Sequence, residues 1–174
     1  PTVIVCALIA LWIKASAPRS PIFYSQDRVG RFGDRFRIYK FRTMVSGAEQ
    51  GVGAVWSPPQ DPRVTATGRV LRRYRLDELP QLLNVLKGDM SLVGPRPERP
   101  ELAARLEREI PHYREREKIP PGLTGWAQIR HPYGASVEDA RIKLEYDLYY
   151  LQNLSVGLDL RIILRTLRIV LFGL

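Results

Sequence analysis

Apolar and polar positions divide the 174-residue chain into two apolar ends and a mixed middle. Pro1–Ile13 (PTVIVCALIALWI) is uncharged and apolar apart from Thr2. As a helix it reaches about 20 Å, short of the roughly 30 Å hydrocarbon core of a bilayer, so it cannot span one as it stands. A buried core helix, part of a longer membrane segment and a re-entrant segment all fit it. At the other end, Val156–Leu174 places Arg161, Arg165 and Arg168 on one helical face, with Ile162, Ile163, Leu164, Leu167, Ile169, Val170 and Leu171 over most of the rest. That is the pattern of an interfacial helix, or of a core helix with an arginine stripe toward solvent. Apolar segments at both ends favour a chain that lies on, or dips into, a membrane.

Between the ends, Ser16–Pro21 reads as a break. Ile22–Gln26 and Arg35–Arg42 read as strands around a turn at Phe32–Gly33–Asp34, with Phe36, Ile38, Lys40 and Arg42 on one face. Gly47–Pro62 is rich in turn formers and reads as loop. Leu79, Leu82, Leu83 and Leu86 predict a helix ending near Gly88. Pro95, Pro97 and Pro100 force an extended turn ahead of a helix through Leu102, Leu106 and Ile110. Pro120–Gly125 reads as a rigid loop, and Ser136 with Asp139 as the capping box of a helix carrying Leu144, Leu148 and Leu151. The expected fold class is α+β, helix-rich, with one short β-hairpin.

Composition narrows the function classes. With 45% hydrophobic and 26% charged residues the chain is neither disordered nor collagen-like. One cysteine, Cys6, excludes a disulfide framework, and His112 and His131 alone supply no zinc set. The net charge of +9 is concentrated: Lys14–Arg75 holds 13 basic and 4 acidic residues, and the remainder holds 14 of each. Such a stretch suits a polyanion: nucleic acid, an anionic membrane surface or a phosphorylated small molecule. A basic nucleic-acid-binding domain lacks a recognisable aromatic stacking strip here and leaves the apolar ends unexplained.

Neither GxxxxGK[ST] nor GxGxxG occurs. The chemistry gathers in Leu71–Asn84 (LRRYRLDELPQLLN), where Arg72, Arg73 and Arg75 precede Asp77 and Glu78. The plain reading makes Asp77 an N-cap and Glu78 a first-turn acid favoured by the helix dipole. The functional reading uses the same physics: a helix start among guanidinium groups holds phosphate and keeps an aspartate ionised, ready to attack phosphorus or bind a metal. Paired carboxylates beside phosphate-binding arginines also suit Mg²⁺.

At KFRTM (Lys40–Met44), DPRVT (Asp61–Thr65), LDELPQLLNVLKGDMSLVGPRPE (Leu76–Glu98), PGLTGWAQI (Pro121–Ile129) and KLEYDLYY (Lys143–Tyr150) the sequence resembles the bacterial sugar transferases, monotopic phosphoglycosyl transferases that begin surface-glycan assembly. The resemblance implies transfer of sugar-1-phosphate from a UDP-sugar to polyprenyl (undecaprenyl) phosphate, with Mg²⁺, through a covalent intermediate and release of UMP. It assigns Asp77 as nucleophile, Glu78 to the metal together with Asp77, and Arg72 and Arg96 to phosphate. Lys40 and Arg42 either join them or form ion pairs with acids such as Asp147. Gln26 and Arg28 line the site or shape the turn; Trp126 and Gln128 meet the nucleotide or belong to the scaffold. Tyr146, Tyr149 and Tyr150 read as core or interface aromatics.

The resemblance also implies a small monotopic, membrane-associated domain at the cytoplasmic face of the bacterial inner membrane. Its parts are a partial re-entrant helix and break over 1–20, a catalytic core over 21–155 and an interfacial amphipathic helix over 156–174. Pro1 matches the proline of a Ser-Pro break in the re-entrant hairpin, whose first half is expected upstream. Lys14 and Arg19 then face lipid headgroups. The expected partners are the donor, the lipid acceptor and membrane lipids rather than nucleic acid, with a homodimer left open. A catalytically silent scaffold in a glycan-assembly complex is the other alternative, and the complete acidic pair argues against it. No motif reads the sugar.

Overall fold

In the computed structural model, which describes residues 2–49, 60–131, 134 and 136–172, the apolar start forms helix α1 (Thr2–Ser16). Only Ile9 and Ile13, one turn apart, are buried; they pack with Phe41 and Leu71, while Val3 is 82% exposed and Leu11 67%. Cys6 and Ala10 pack at the margin of that cluster and Ser16 meets the Thr67 hydroxyl at 2.9 Å, while Val3, Ile4, Leu8, Leu11 and Trp12 form an exposed apolar surface. No described helix is long and apolar enough to cross a membrane.

The expected hairpin forms. β1 (Phe23–Val29) pairs antiparallel with β2 (Arg35–Phe41), from Phe23 opposite Phe41 to Val29 opposite Arg35. Phe32 (φ 56°) and Gly33 (φ 85°) are both left-handed, the geometry that matches strand twist in tight hairpins. The expected loop Gly47–Pro62 lies largely outside the described residues.

The leucine-rich segment departs from expectation. α2 (Ala66–Arg73) is capped by Thr65, whose hydroxyl accepts the Gly68 N–H at 3.0 Å. Arg75 then turns left-handed, Leu76–Gln81 winds as 3-10 helix, and α3 (Leu82–Lys87) follows until Gly88 ends it with φ 85°. Pro80 has no N–H to continue an α-helical ladder, so the single expected helix is split. Leu79 packs toward the α1 cluster, whereas Leu83 and Leu86 stay exposed. Asp77 therefore lies inside the 3-10 turn and does not cap a helix.

α4 (Pro100–Glu109) begins on its proline as expected and buries Leu102, Ala103 and Leu106. The expected loop at 120–125 contains a strand: β3 (Ser91–Val93) runs parallel to β4 (Gly122–Thr124). Glycines make this pairing possible. A Cβ on Gly122 or Gly125 would fall inside the van der Waals envelope of the Gly94 backbone, whereas one on Gly157 meets nothing within 4 Å. Gly122→Ala should therefore cost about 1–3 kcal/mol through overpacking; Gly157→Ala should leave the unfolding midpoint of the purified protein near the parent value.

α5 (Trp126–Arg130), α6 (Val137–Gln152) and α7 (Val156–Phe172) complete the chain. The Ser136–Asp139 capping box is present. α7 buries Leu158 and Ile162 against Val93, Trp126 and Tyr150, and is pinned by Tyr150 Oη donating to Asp159 at 2.6 Å and by a 2.7 Å hydroxyl contact between Thr124 and Thr166. Arg161, Arg165 and Arg168 remain exposed, as do Leu160, Leu164, Leu167 and Leu171.

Candidate active site

The 3-10 turn brings two adjacent acids against the hairpin and the Pro95–Arg96–Pro97 segment. Glu78 Oε1 receives Lys40 Nζ from β2 at 2.9 Å and Arg96 Nη2 at 2.7 Å, and Arg75 Nη1 stands 3.6 Å from Oε2. Burial works to raise the Glu78 pKa, but Arg96, Lys40 and Arg75 outweigh it and hold the carboxyl well below the ordinary range. Asp77 is equally buried, at 8% exposure. Among the described residues its carboxylate has no hydrogen bond or ion pair. Burial first, and the Glu78 charge second, push its pKa up; Lys40, Arg72 and Arg96 oppose the rise.

Arg72 is fixed by donating Nε to Thr43 Oγ1 at 2.9 Å, and Gly68 lets α2 approach the Thr43 backbone closely enough for that. Arg96 is braced from two sides. Arg116 Nη2 donates to the Arg96 carbonyl at 2.9 Å and pairs with Asp147 Oδ2 at 2.8 Å, while its Nη1 donates to Tyr113 Oη at 2.7 Å. Arg28 donates to the Pro97 carbonyl at 3.3 Å and to Gln26 Oε1 at 2.6 Å; Gln26 in turn reaches Glu49.

The structure thus brings together Asp77, Glu78, Lys40, Arg72 and Arg96. Gln26 and Arg28 stand behind Arg96 as braces. Arg42 is held elsewhere: Nε donates to the Pro21 carbonyl at 2.7 Å and Nη1 to that of Met44 at 3.2 Å. Asp147 pairs with Arg116 instead of Lys40 or Arg42. Trp126 belongs to the core, stacked on Tyr149 at 5.8 Å with Arg130 over its ring at 4.4 Å, as the scaffold reading has it. Tyr150 is also buried in that core and Tyr146 packs against it.

Arg75, one of the three guanidinium groups expected beside the acids, reaches Glu78 from three residues before it. Two contributors went unread in the sequence. Arg116 offered no signal, because its partner Asp147 is distant in the chain. Asn84, fully buried, donates to the Arg37 carbonyl at 2.8 Å and to Asp89 at 3.1 Å and accepts the Tyr39 N–H, tying α3 to β2 beneath the acids.

Beside Arg75 and Arg96 opens a cavity of about 190 Å³, whose other walls include Glu98, Gln128, His131 and Lys143. Of the motif Pro121–Ile129, Ala127 and Gln128 line this space. No group of three or more His, Cys, Asp or Glu side chains converges among the described residues.

A family model described as bacterial sugar transferase matches residues 1–173. The chain is 49% identical over 164 residues to a UDP-N-acetylgalactosamine-undecaprenyl-phosphate N-acetylgalactosaminephosphotransferase of Aeromonas hydrophila, covering 94% of this chain and 38% of that protein. It is 42% identical over 160 residues to a UDP-glucose:undecaprenyl-phosphate glucose-1-phosphate transferase of Xanthomonas campestris pv. campestris, covering 91% and 33%. The exopolysaccharide production protein PSS of Rhizobium leguminosarum bv. phaseoli is 40% identical over 163 residues, covering 91% and 81%. The chain spans about a third of the length of the first two relatives.

Proposed function

Because the chain belongs to the bacterial sugar transferase family, we propose that it transfers a sugar-1-phosphate from a UDP-sugar to polyprenyl phosphate, undecaprenyl phosphate in particular, through a phospho-sugar carried on Asp77. The observation behind this reading is the contrast between neighbours. Glu78 is held by three cations, while Asp77 is free of such partners among the described residues. A carboxylate whose pKa is depressed is a weak nucleophile; one whose pKa is raised is a stronger one, and still needs no general base once ionised.

In the first step an Asp77 oxygen attacks the phosphorus that carries the sugar. The bond from that phosphorus to the bridging oxygen breaks, and UMP leaves with its electron pair. In the second, a phosphate oxygen of the lipid attacks the same phosphorus, the bond to Asp77 breaks, and polyprenyl diphosphate-sugar departs with the carboxylate restored. Arg72 and Arg96, fixed before substrate arrives, neutralise phosphate oxygens.

Mg²⁺ fits the acidic pair, since it commonly takes one or two carboxylates and completes its shell with substrate phosphate oxygens. Asp77 lacks a competing partner and Glu78 Oε2 has only the long contact to Arg75. These two residues would hold the ion, which when bound supplies positive charge to the donor's phosphates.

The acceptor is a lipid, so the reading places the chain at a membrane surface, the cytoplasmic face of the bacterial inner membrane. The uncovered apolar surface of α1 and the mixed apolar and arginine surface of α7 support this.

Donor alone, without polyprenyl phosphate, should release a burst of UMP approaching one per protein, suppressed by excess chelator and followed by steady turnover once acceptor is added. Acceptor-dependent turnover with no such burst would overturn the covalent route; a full burst in chelator would remove the ion.

The pH dependence follows from Asp77. The nucleophile acts only when ionised, so activity falls as pH drops through its raised pKa. The acid limb of UMP release should lie above the usual aspartate value of about 4. Arg72 lowers that pKa, so Arg72→Gln should move the limb to higher pH; a limb that stays put would detach Arg72 from Asp77.

A further inference from the structure

Resting on the donor chemistry just described, we propose that the cavity beside Arg75 and Arg96 is the subsite for the pyranose ring of the nucleotide sugar, with Gln128 and Lys143 reading its substituents. Its position comes first. Arg75 and Arg96 are shared between the cavity wall and Glu78, so a group seated there lies beside the acidic pair, where the sugar next to the reacting phosphorus has to be.

Its size comes second. At about 190 Å³ it falls below the ~300–1,000 Å³ of pockets that enclose whole drug-sized ligands, and suits one ring.

Its chemistry decides between the two rings the donor carries. A nucleobase is usually held against an aromatic face. Of the two rings on the described wall, Tyr113 is 3% exposed and engaged by Arg116, and the His131 imidazole is tied through Nε2 to Asp139 at 2.9 Å. The wall instead offers a carboxylate from Glu98, an ammonium from Lys143 and a carboxamide from Gln128, an acceptor and donors suited to hydroxyl and acetamido groups. Gln128 Nε2 is buried with no hydrogen-bond partner among the described residues, and Lys143 Nζ meets only the Gly134 carbonyl at 3.2 Å among the hydrogen bonds described for it. Arg116, by contrast, is committed to Tyr113, Asp147 and the Arg96 carbonyl.

The test measures UMP release from UDP-N-acetylgalactosamine and from UDP-glucose, together with competitive inhibition by UMP, in the parent, Gln128→Leu and Lys143→Met. Each variant should lower kcat/KM for the better donor about tenfold, the size of one lost buried hydrogen bond. Each should also shift the ratio between donors while leaving inhibition by UMP within about twofold, a result that a misfolded variant cannot give. Donor ratios equal to those of the parent would overturn the subsite and leave the proposed reaction standing. Weakened UMP inhibition in parallel with donor turnover would assign the cavity to the nucleotide and overturn it too. A parent that releases no UMP from either donor overturns the reaction itself, and the subsite with it.

Discussion

Asp77→Asn should abolish turnover, with UMP release falling by at least about 10⁴-fold, the scale seen when a covalent nucleophile is removed from an intact site. The substitution keeps the shape of the side chain and removes the charge and the nucleophilic oxygen. It should not loosen the fold, because among the described residues no hydrogen bond or ion pair depends on the Asp77 carboxylate, and burial already opposes its ionisation. The variant should therefore unfold at or above the parent midpoint while losing the donor-only burst. Mass spectrometry should find a phospho-sugar adduct on the parent protein and none on the variant. Near-normal UMP release from Asp77→Asn would mean that the attacking group lies elsewhere. Glu78 would be a poor substitute, because its oxygen density is already committed to Lys40 and Arg96.

What could be read from the chain follows the range over which each feature is determined. The hairpin was legible because Phe32–Gly33 sets a local turn and the flanking strands need nothing remote to define them. The acidic pair was legible as a cluster of charges within one segment, and the resemblance added Arg96, which lies outside the excess of positive charge. Features set by distant contacts were not legible. Strand alternation placed Arg42 with Lys40, but β2 ends at Phe41, and beyond it the chain turns Arg42 onto two carbonyls. Trp126 could be read from the sequence either as a nucleotide contact or as scaffold; the close crossing of Gly94, Gly122 and Gly125 makes that loop a strand and carries the ring into the core. The leucine spacing over 79–86 implied one continuous helix ending near Gly88, yet Pro80 breaks the winding, and Leu83 and Leu86 lie uncovered. The Arg116–Asp147 pair needs α6 packed against the Tyr113–Lys118 turn before either residue has a partner.

Glu78→Ala should damage stability and activity together, and the pH dependence separates its cause from a simple loss of packing. Removing the carboxylate takes away the hydrogen-bonded counter-ion that Lys40 and Arg96 share, leaving their like charges adjacent. Breaking a buried pair in this way costs about 3–5 kcal/mol. A value near about 3 kcal/mol is expected here, the low end of that range, because Arg96 keeps solvent contact at 39% side-chain exposure. Glu78 has a depressed folded pKa, so its contribution is fully present above the unfolded glutamate value of about 4.3 and is lost as pH falls through the lower folded value. The parent should lose this stability in acid, and the difference between parent and Glu78→Ala should shrink with it. Urea unfolding across that window measures the effect; a gap that stays constant would mean that packing, not the ion pairs, holds the turn. Glu78→Gln keeps an acceptor for Arg96 without the charge, so it should recover part of the stability. It should recover little activity, because with Glu78 neutral the cations act on Asp77 alone, lower its pKa and weaken it as a nucleophile. In the proposed reaction, Glu78 therefore has the role of absorbing positive charge that would otherwise weaken Asp77 as a nucleophile.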